Sequence, residues 1–265
     1  MFKLKTKLVL MGDRFYAGLR RAAPPLVLGA LLILAWQLVV SLGHIKPFLL
    51  PGPGAVVATL MDSKWQWLSQ ASVTLLEVLG GFALAAGVGT FLGIVITWSE
   101  ATRNAVLPFL VFLNSLPKIA LAPLFIIWLG YGVMPNMVIA FISAFFPIAI
   151  NTATGVTEVD PDMLDFARAL CVPKWKVFFK IRLPNALPYI FSGLKISTTL
   201  AVIGAIVGEF IASTRGLAAI IMNAQGVLAT DAILASLVWI SAIGLGLFGF
   251  VALLQRLLMP WAEVK

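Results

Sequence analysis

Long apolar runs separated by short polar breaks organise this chain. A bilayer core about 30 Å thick takes about 20 helical residues, and runs at roughly 25–42, 73–97, 106–129, 137–154, 187–212 and 233–255 are long enough. The expectation is an all-α membrane protein, a single bundle of six transmembrane helices with no room for a soluble domain. In the second run Gly81, Ala85, Gly89 and Gly93 recur every fourth residue. That spacing lines small residues along one face, where another helix can approach closely. The overlapping GVGTFLG at 87–93 has the spacing G-x-G-x-x-x-G and lies inside an apolar span, so it is read as packing and not as a nucleotide loop.

The longest polar break runs from Glu158 to Pro188, EVDPDMLDFARALCVPKWKVFFKIRLPNALP. Asp160 can cap free backbone N–H groups, and Pro161 is pre-shaped for a first helical position. Asp162 adds negative charge at the positive end of the helix dipole. A helix over roughly 161–171 follows, with Leu164, Ala167 and Leu170 or Cys171 on one face. Val172-Pro173 ends it. Beyond the break, Trp175, Phe178 and Phe179 fall on one side and Lys174, Lys176 and Lys180 elsewhere, the arrangement of a helix lying at a membrane surface. Topology alone requires charges, but not a capped helix, a proline break and an aromatic face.

Composition and charge fit a membrane protein. Apolar residues make up 61% of the chain and charged residues 11%, against about 25% charged in a soluble domain. Short loops rich in Lys and Arg stay in the cytoplasm. With the N-terminus inside, that side holds 14 of them, including Arg103, Arg168, Lys174, Lys176, Lys180, Arg182 and Arg256. The outer side holds 3: Lys46, Lys64 and Arg215. Both termini and the 158–188 loop are therefore expected in the cytoplasm, and the net charge of +8 is read as topology and not as nucleic-acid binding. The basic N-terminal segment and the apolar run after it resemble a secretory signal. The run from Pro24 to Leu42 is too long for one, so it is read as a retained first helix.

Covalent chemistry finds few candidates. One cysteine, Cys171, and one histidine, His44, exclude an internal disulfide, a Cys/His metal cluster and most nucleophilic triads. There is no H-E-x-x-H, and no G-x-x-x-x-G-K-[ST] loop to cradle phosphates. No cofactor is expected on this chain. If ATP drives it, another polypeptide binds the nucleotide and its Mg²⁺.

At the polar break the chain resembles the membrane subunits of bacterial ATP-binding-cassette importers, whose motif reads E-A-A-x3-G-x9-I-x-L-P. Asp165, Phe166, Ala167, Cys171, Ile181, Leu183 and Pro184 stand at those positions in register. Asp165, Phe166 and Cys171 depart from the motif, and at Cys171 the turn must form without glycine's tolerance of positive φ. LPKIALAPLFIIWLGYG at 116–132, PNALPYIFSGLKIS at 184–197, AIVGEF at 205–210 and the closing PW at 260–261 look like the nitrate, sulfonate, taurine and thiamine-precursor branch. The resemblance implies a type I permease fold in the bacterial cytoplasmic (inner) membrane, with no enzyme activity of its own. It also implies two cytoplasmic ATPase subunits, a second permease subunit as a homodimer, and a periplasmic or lipid-anchored solute-binding protein. Within it, Asp165, Phe166, Ala167, Leu170, Cys171, Ile181, Leu183 and Pro184 belong to the coupling site. The expected organisation is an N-terminal segment, first helix and outer loop over 1–66, a permease core over 67–256 with the coupling helix at about 160–172, and a cytoplasmic tail over 257–265.

Charges inside the spans mark the expected pathway, since each costs about 2.5–3.5 kcal/mol near the bilayer centre. Lys118 lies mid-span between Pro117 and Pro123, where proline removes backbone hydrogen bonds and bends the axis. The segment from Asn114 to Pro123 is the first choice for pathway lining, because freed carbonyls must face protein or water. Glu209 and Glu77 are read as shallow pathway residues within reach of interfacial water, and the resemblance at GEF implies a place for Glu209 in an outer gate. Lys118 is set roughly 13 Å deeper than Glu209, too far for a direct ion pair between straight helices. Lys195 is placed to snorkel. The substrate is a small solute, either a sulfonate, taurine or nitrate type of anion or a thiamine-pyrimidine or riboflavin type of heterocycle. A rival reading is a stand-alone secondary transporter or channel using these intramembrane charges, although no internal inverted repeat of the kind such proteins carry is evident.

Overall fold

The computed structural model describes residues 23–260, and among them every regular element is helical. The helices are α1 (Ala23–Leu42), α2 (Pro53–Met61), α3 (Trp67–Ile96), α4 (Glu100–Asn114), α5 (Ala122–Leu129), α6 (Val133–Thr157), α7 (Pro161–Ala169), α8 (Lys174–Val177), α9 (Leu183–Ala212), α10 (Leu217–Gly226) and α11 (Thr230–Leu258). Five helical stretches are long and apolar enough to span a membrane, and the α4–α5 pair makes a sixth if taken as one span. Five of the six expected spans are present as single helical runs, and the sixth, expected at 106–129, falls on the bent α4–α5 pair. The short helices α2 and α10 were not expected, and residues 1–22 and 261–265, with their Lys and Arg, lie outside the described residues.

The described residues form two units. One contains α1, α2 and residues 228–235. Within it, the Thr59 hydroxyl donates to the Asp231 carboxylate at 2.6 Å, tying α2 to the first turn of α11. The other contains residues 63–227 and the rest of α11, and α6 is its central helix. Alanine and glycine set its geometry. Ala140, Ala144, Ala149 and Ala153 of α6 are fully buried. A Cβ added to Gly81 would stand 2.6 Å from that of Ala140, and one added to Gly93 2.6 Å from that of Thr152. The four-residue repeat in α3 is thus the seam against α6, as its spacing implied. On the other side of α6, a Cβ on Gly204 would lie 2.7 Å from Ala140 Cα, and the Ser197 hydroxyl donates to the Ala144 carbonyl at 2.7 Å. With backbones this close, dispersion contacts and interhelical hydrogen bonds hold the bundle where lipid supplies no hydrophobic drive.

Two elements differ from expectation. The third span is broken: α4 stops at Asn114, and α5 leaves at 80° after a 3-10 turn over Lys118–Leu121. Pro117 accounts for this, because a residue before proline is steered away from helical backbone and the proline offers no N–H. The basic aromatic stretch forms no separate surface helix. α8 passes through a π turn at Phe178–Arg182 directly into α9, making one run over Lys174–Ile211. Trp175 and Phe179 are exposed, while Phe178 is half-buried with its ring 6.4 Å from that of Trp98.

Candidate functional site

α7 is built as its sequence demands. The Asp160 carboxylate accepts from the Asp162 N–H at 2.9 Å, and Asp165 pairs with Arg168 at 2.6 Å on the exposed side. Of the expected buried face, Ala167 is buried and Leu164 half-buried, but Leu170 and Cys171 are exposed because the helix ends at Ala169. The end is a Schellman turn: the Val172 N–H donates to the Ala167 carbonyl at 3.0 Å and the Cys171 N–H to that of Arg168 at 2.9 Å. Cys171 occupies the left-handed position, φ 51°, where the resembled motif has glycine. Phe166 is 66% exposed and Leu170 61%, so α7 presents apolar side chains beside its charges.

The loop that carries α7 is anchored at its base. The Asn185 amide donates to the Glu158 carbonyl at 2.7 Å, and the Tyr189 hydroxyl to the Glu158 carboxylate at 2.8 Å. Gly155 lets Tyr189 and Ala186 close on the end of α6. Ile181, Leu183 and Pro184 are half-buried at the start of α9, so they position the loop while Asp165, Phe166 and Leu170 face outward. Sequence reading missed Asn185 and Tyr189, whose only local sign is polarity beside an apolar run.

Lys118 stands at the α4–α5 break. Its ammonium donates to Asn114 Oδ1 at 2.7 Å and lies 5.1 Å from the centre of the Phe146 ring. It borders a cavity of about 400 Å³ whose other walls include Val88, Leu113, Phe141 and Phe145. Pro117 and Pro123 flank the turn and are exposed. The lysine is the one charged group on otherwise apolar and aromatic walls.

Glu77 and Glu209 lie elsewhere. Both are fully buried, so neither is open to the interfacial water expected within its reach. Depth along one helix ignores what neighbouring elements cover, and here α6 and α10 close over them. The Asn136 amide of α6 donates to Glu77 Oε1 at 2.9 Å. The Thr74 hydroxyl donates to Glu209 Oε1 at 2.5 Å, and the Ala218 N–H to Glu209 Oε2 at 2.7 Å. Lys118 bonds Asn114 and Glu209 bonds Thr74 and α10, so they form no pair, as expected.

The sequence family described as binding-protein-dependent transport system inner membrane component matches residues 85–263. A putative aliphatic sulfonates transport permease protein of Bacillus subtilis is 32% identical over 238 residues, covering 89% of this chain and 86% of that protein. A taurine transport system permease protein of Escherichia coli is 33% identical over 242 residues, covering 88% and 87%. A formylaminopyrimidine transport permease protein of Halalkalibacterium halodurans is 29% identical over 244 residues, covering 92% and 97%.

Proposed function

The chain belongs to the family of binding-protein-dependent transport system inner membrane components, and from that premise we propose that α7 docks the ATPase subunits of an importer whose solute passes the Lys118 cavity. As a family member it is a multi-pass inner membrane permease and no enzyme; ATP hydrolysis lies on separate subunits, and a solute-binding protein delivers the cargo. The observation that carries the docking reading is the apolar pair Phe166 and Leu170, exposed on a capped and anchored helix. Two copies of the permease with two ATPase subunits give a symmetric machine, each α7 entering one ATPase from the cytoplasm. The Lys and Arg bias supports that orientation. Nucleotide binding then shifts a two-state pathway through contacts that differ between the states.

The cavity supports a small anion with an apolar body, an alkyl sulfonate being the simplest. Lys118 offers the charge, and Phe145 and Phe146 offer apolar wall. A pyrimidine or flavin type of heterocycle is the second reading, favoured by those same aromatic rings.

Docking is tested by Phe166→Ala with Leu170→Ala, assayed by co-purification of the ATPase subunit and by uptake in cells. Each truncation of an interface anchor costs about 1–2 kcal/mol, so retention of the ATPase falls at least tenfold. Unchanged retention and uptake would sink the docking reading. Ala167 is unsuitable for this test, because it is buried and a bulky replacement would damage the fold.

A further inference from the structure

The buried cluster around Glu77 and Glu209 seats helix α10. Gly216 precedes α10 without a side chain of its own to cap it, and the helix's first N–H groups are met from other elements. The Gly216 N–H donates to Gln70 Oε1 at 2.7 Å, the Leu217 N–H to Thr74 Oγ1 at 2.9 Å and the Ala218 N–H to Glu209 Oε2. Helices leave these donors free, and a negative charge there also meets the positive end of the dipole. Gly216 has φ +109°, and a Cβ there would fall on the Glu209 carboxylate, so backbone and space both call for glycine.

Both oxygens of Glu209 therefore accept from donors, as an ionised carboxylate would. Glu77 is placed differently. Asn136, which bonds Glu77, lies against Gly208 next to Glu209, and Thr74, which bonds Glu209, stands one turn before Glu77 on α3, so the two carboxyl groups share one buried cluster. Among the described residues no N–H or O–H donor reaches Glu77 Oε2, which is buried, and the buried Asn136 Oδ1 also lacks one. The cluster is short of donors. It is also short of positive charge: α6 and α10 contain no charged residue, and α3 contains only Glu77. The other charged residue of α9, Lys195, is 14 positions from Glu209, about 21 Å along the helix. Arg215, on the loop before α10, is exposed. Two adjacent carboxylates without a counter-charge cannot both be ionised in an apolar interior.

We propose that the cluster of Glu77 and Glu209 holds a single proton, carried on Glu77 Oε2, and that this acid and the Glu209 carboxylate together clamp α10 to α3, α6 and α9. The pair is a structural proton site, independent of whether α7 docks an ATPase. Glu77 acts as a donor and Glu209 as an acceptor, so their amide variants differ. In Glu77→Gln the new amide N–H replaces the acid O–H and its carbonyl still accepts from Asn136. In Glu209→Gln an amide N–H faces either the Thr74 hydroxyl or the α10 N–H groups, and a bond to a charged acceptor is lost on each.

The experiment uses the full chain in lipid nanodiscs at neutral pH. Infrared difference spectra of wild type minus Glu77→Gln are expected to show the carbonyl stretch of a protonated carboxylic acid, shifting in D₂O. Thermal unfolding is expected to leave Glu77→Gln within about 2 °C of wild type and to lower Glu209→Gln by about 8 °C, for a loss of two charge-assisted bonds in a chain of this size. Absence of the acid band, or Glu77→Gln as unstable as Glu209→Gln, would overturn the proposal. The reverse order of stability would place the proton on Glu209 and equally overturn it. So would stabilisation of wild type by sodium or calcium that Glu77→Gln lacks, since the site would then hold a metal cation.

Discussion

At Cys171 a side chain occupies a backbone conformation that disfavours it. Its φ of 51° closes the Schellman turn after α7, and a non-glycine residue there costs about 1–2 kcal/mol. Glycine removes that strain but gives back part of the gain through its greater unfolded-state freedom. Cys171→Gly is therefore expected to stabilise the chain by about 1 kcal/mol, a rise of about 2–4 °C in Tm. A lower Tm would show that the thiol makes compensating contacts. Register against the resembled motif located this position, but whether the turn would survive without glycine had to be read from the dihedral. Glu77 and Glu209 carry the opposite lesson. Their chemistry stood out in the sequence, yet the groups that bury them come from α6 and α10.

Among the helices, the seam between α3 and α6 separates structural glycines from incidental ones. Gly93 faces Thr152 and the Ala149 carbonyl, where a Cβ would stand 2.6 and 2.8 Å away, whereas Gly87 has nothing within 4 Å. Gly93→Ala is expected to cost about 2 kcal/mol as the helices are forced apart. Gly87→Ala is expected to change stability by no more than about 1 kcal/mol, in the stabilising direction of helix propensity. Thermal unfolding of both variants in the same detergent is the check, and equal effects would refute close packing as the role of the repeat. Four-residue spacing identified this face without any partner in view. The merging of α8 into α9 was less accessible, because a basic aromatic stretch after a proline suits both a surface helix and the first turns of a span.

For the whole molecule, the proposed docking on α7 and the proposed passage beside Lys118 can be tested separately. Lys118→Met keeps the side-chain length, removes the charge from the cavity and leaves α7 untouched. Uptake is expected to fall at least tenfold with ATPase co-purification unchanged, the converse of the α7 variant. The estimate follows from losing one charge-assisted hydrogen bond to an anion, worth about 1.5–3 kcal/mol. Uptake at the wild-type rate would remove Lys118 from the pathway. The 80° break beside it shows why a linear count of depth fails here, since the axis on which depth was measured does not continue past Pro117.

Hydrophobic run length, the caps of α7, the small-residue repeat and the spacing of the motif at Asp165 were written locally, because each depends on neighbours within a turn or two of helix. They were enough to give an all-helical membrane protein and the capped helix α7. Distant elements supplied the rest: Glu158 held by Asn185 and Tyr189, the apolar cavity beside Lys118, and α10 capped by Gln70, Thr74 and Glu209. Those contacts join residues far apart in the chain, and helical periodicity carries no information about which faces will meet.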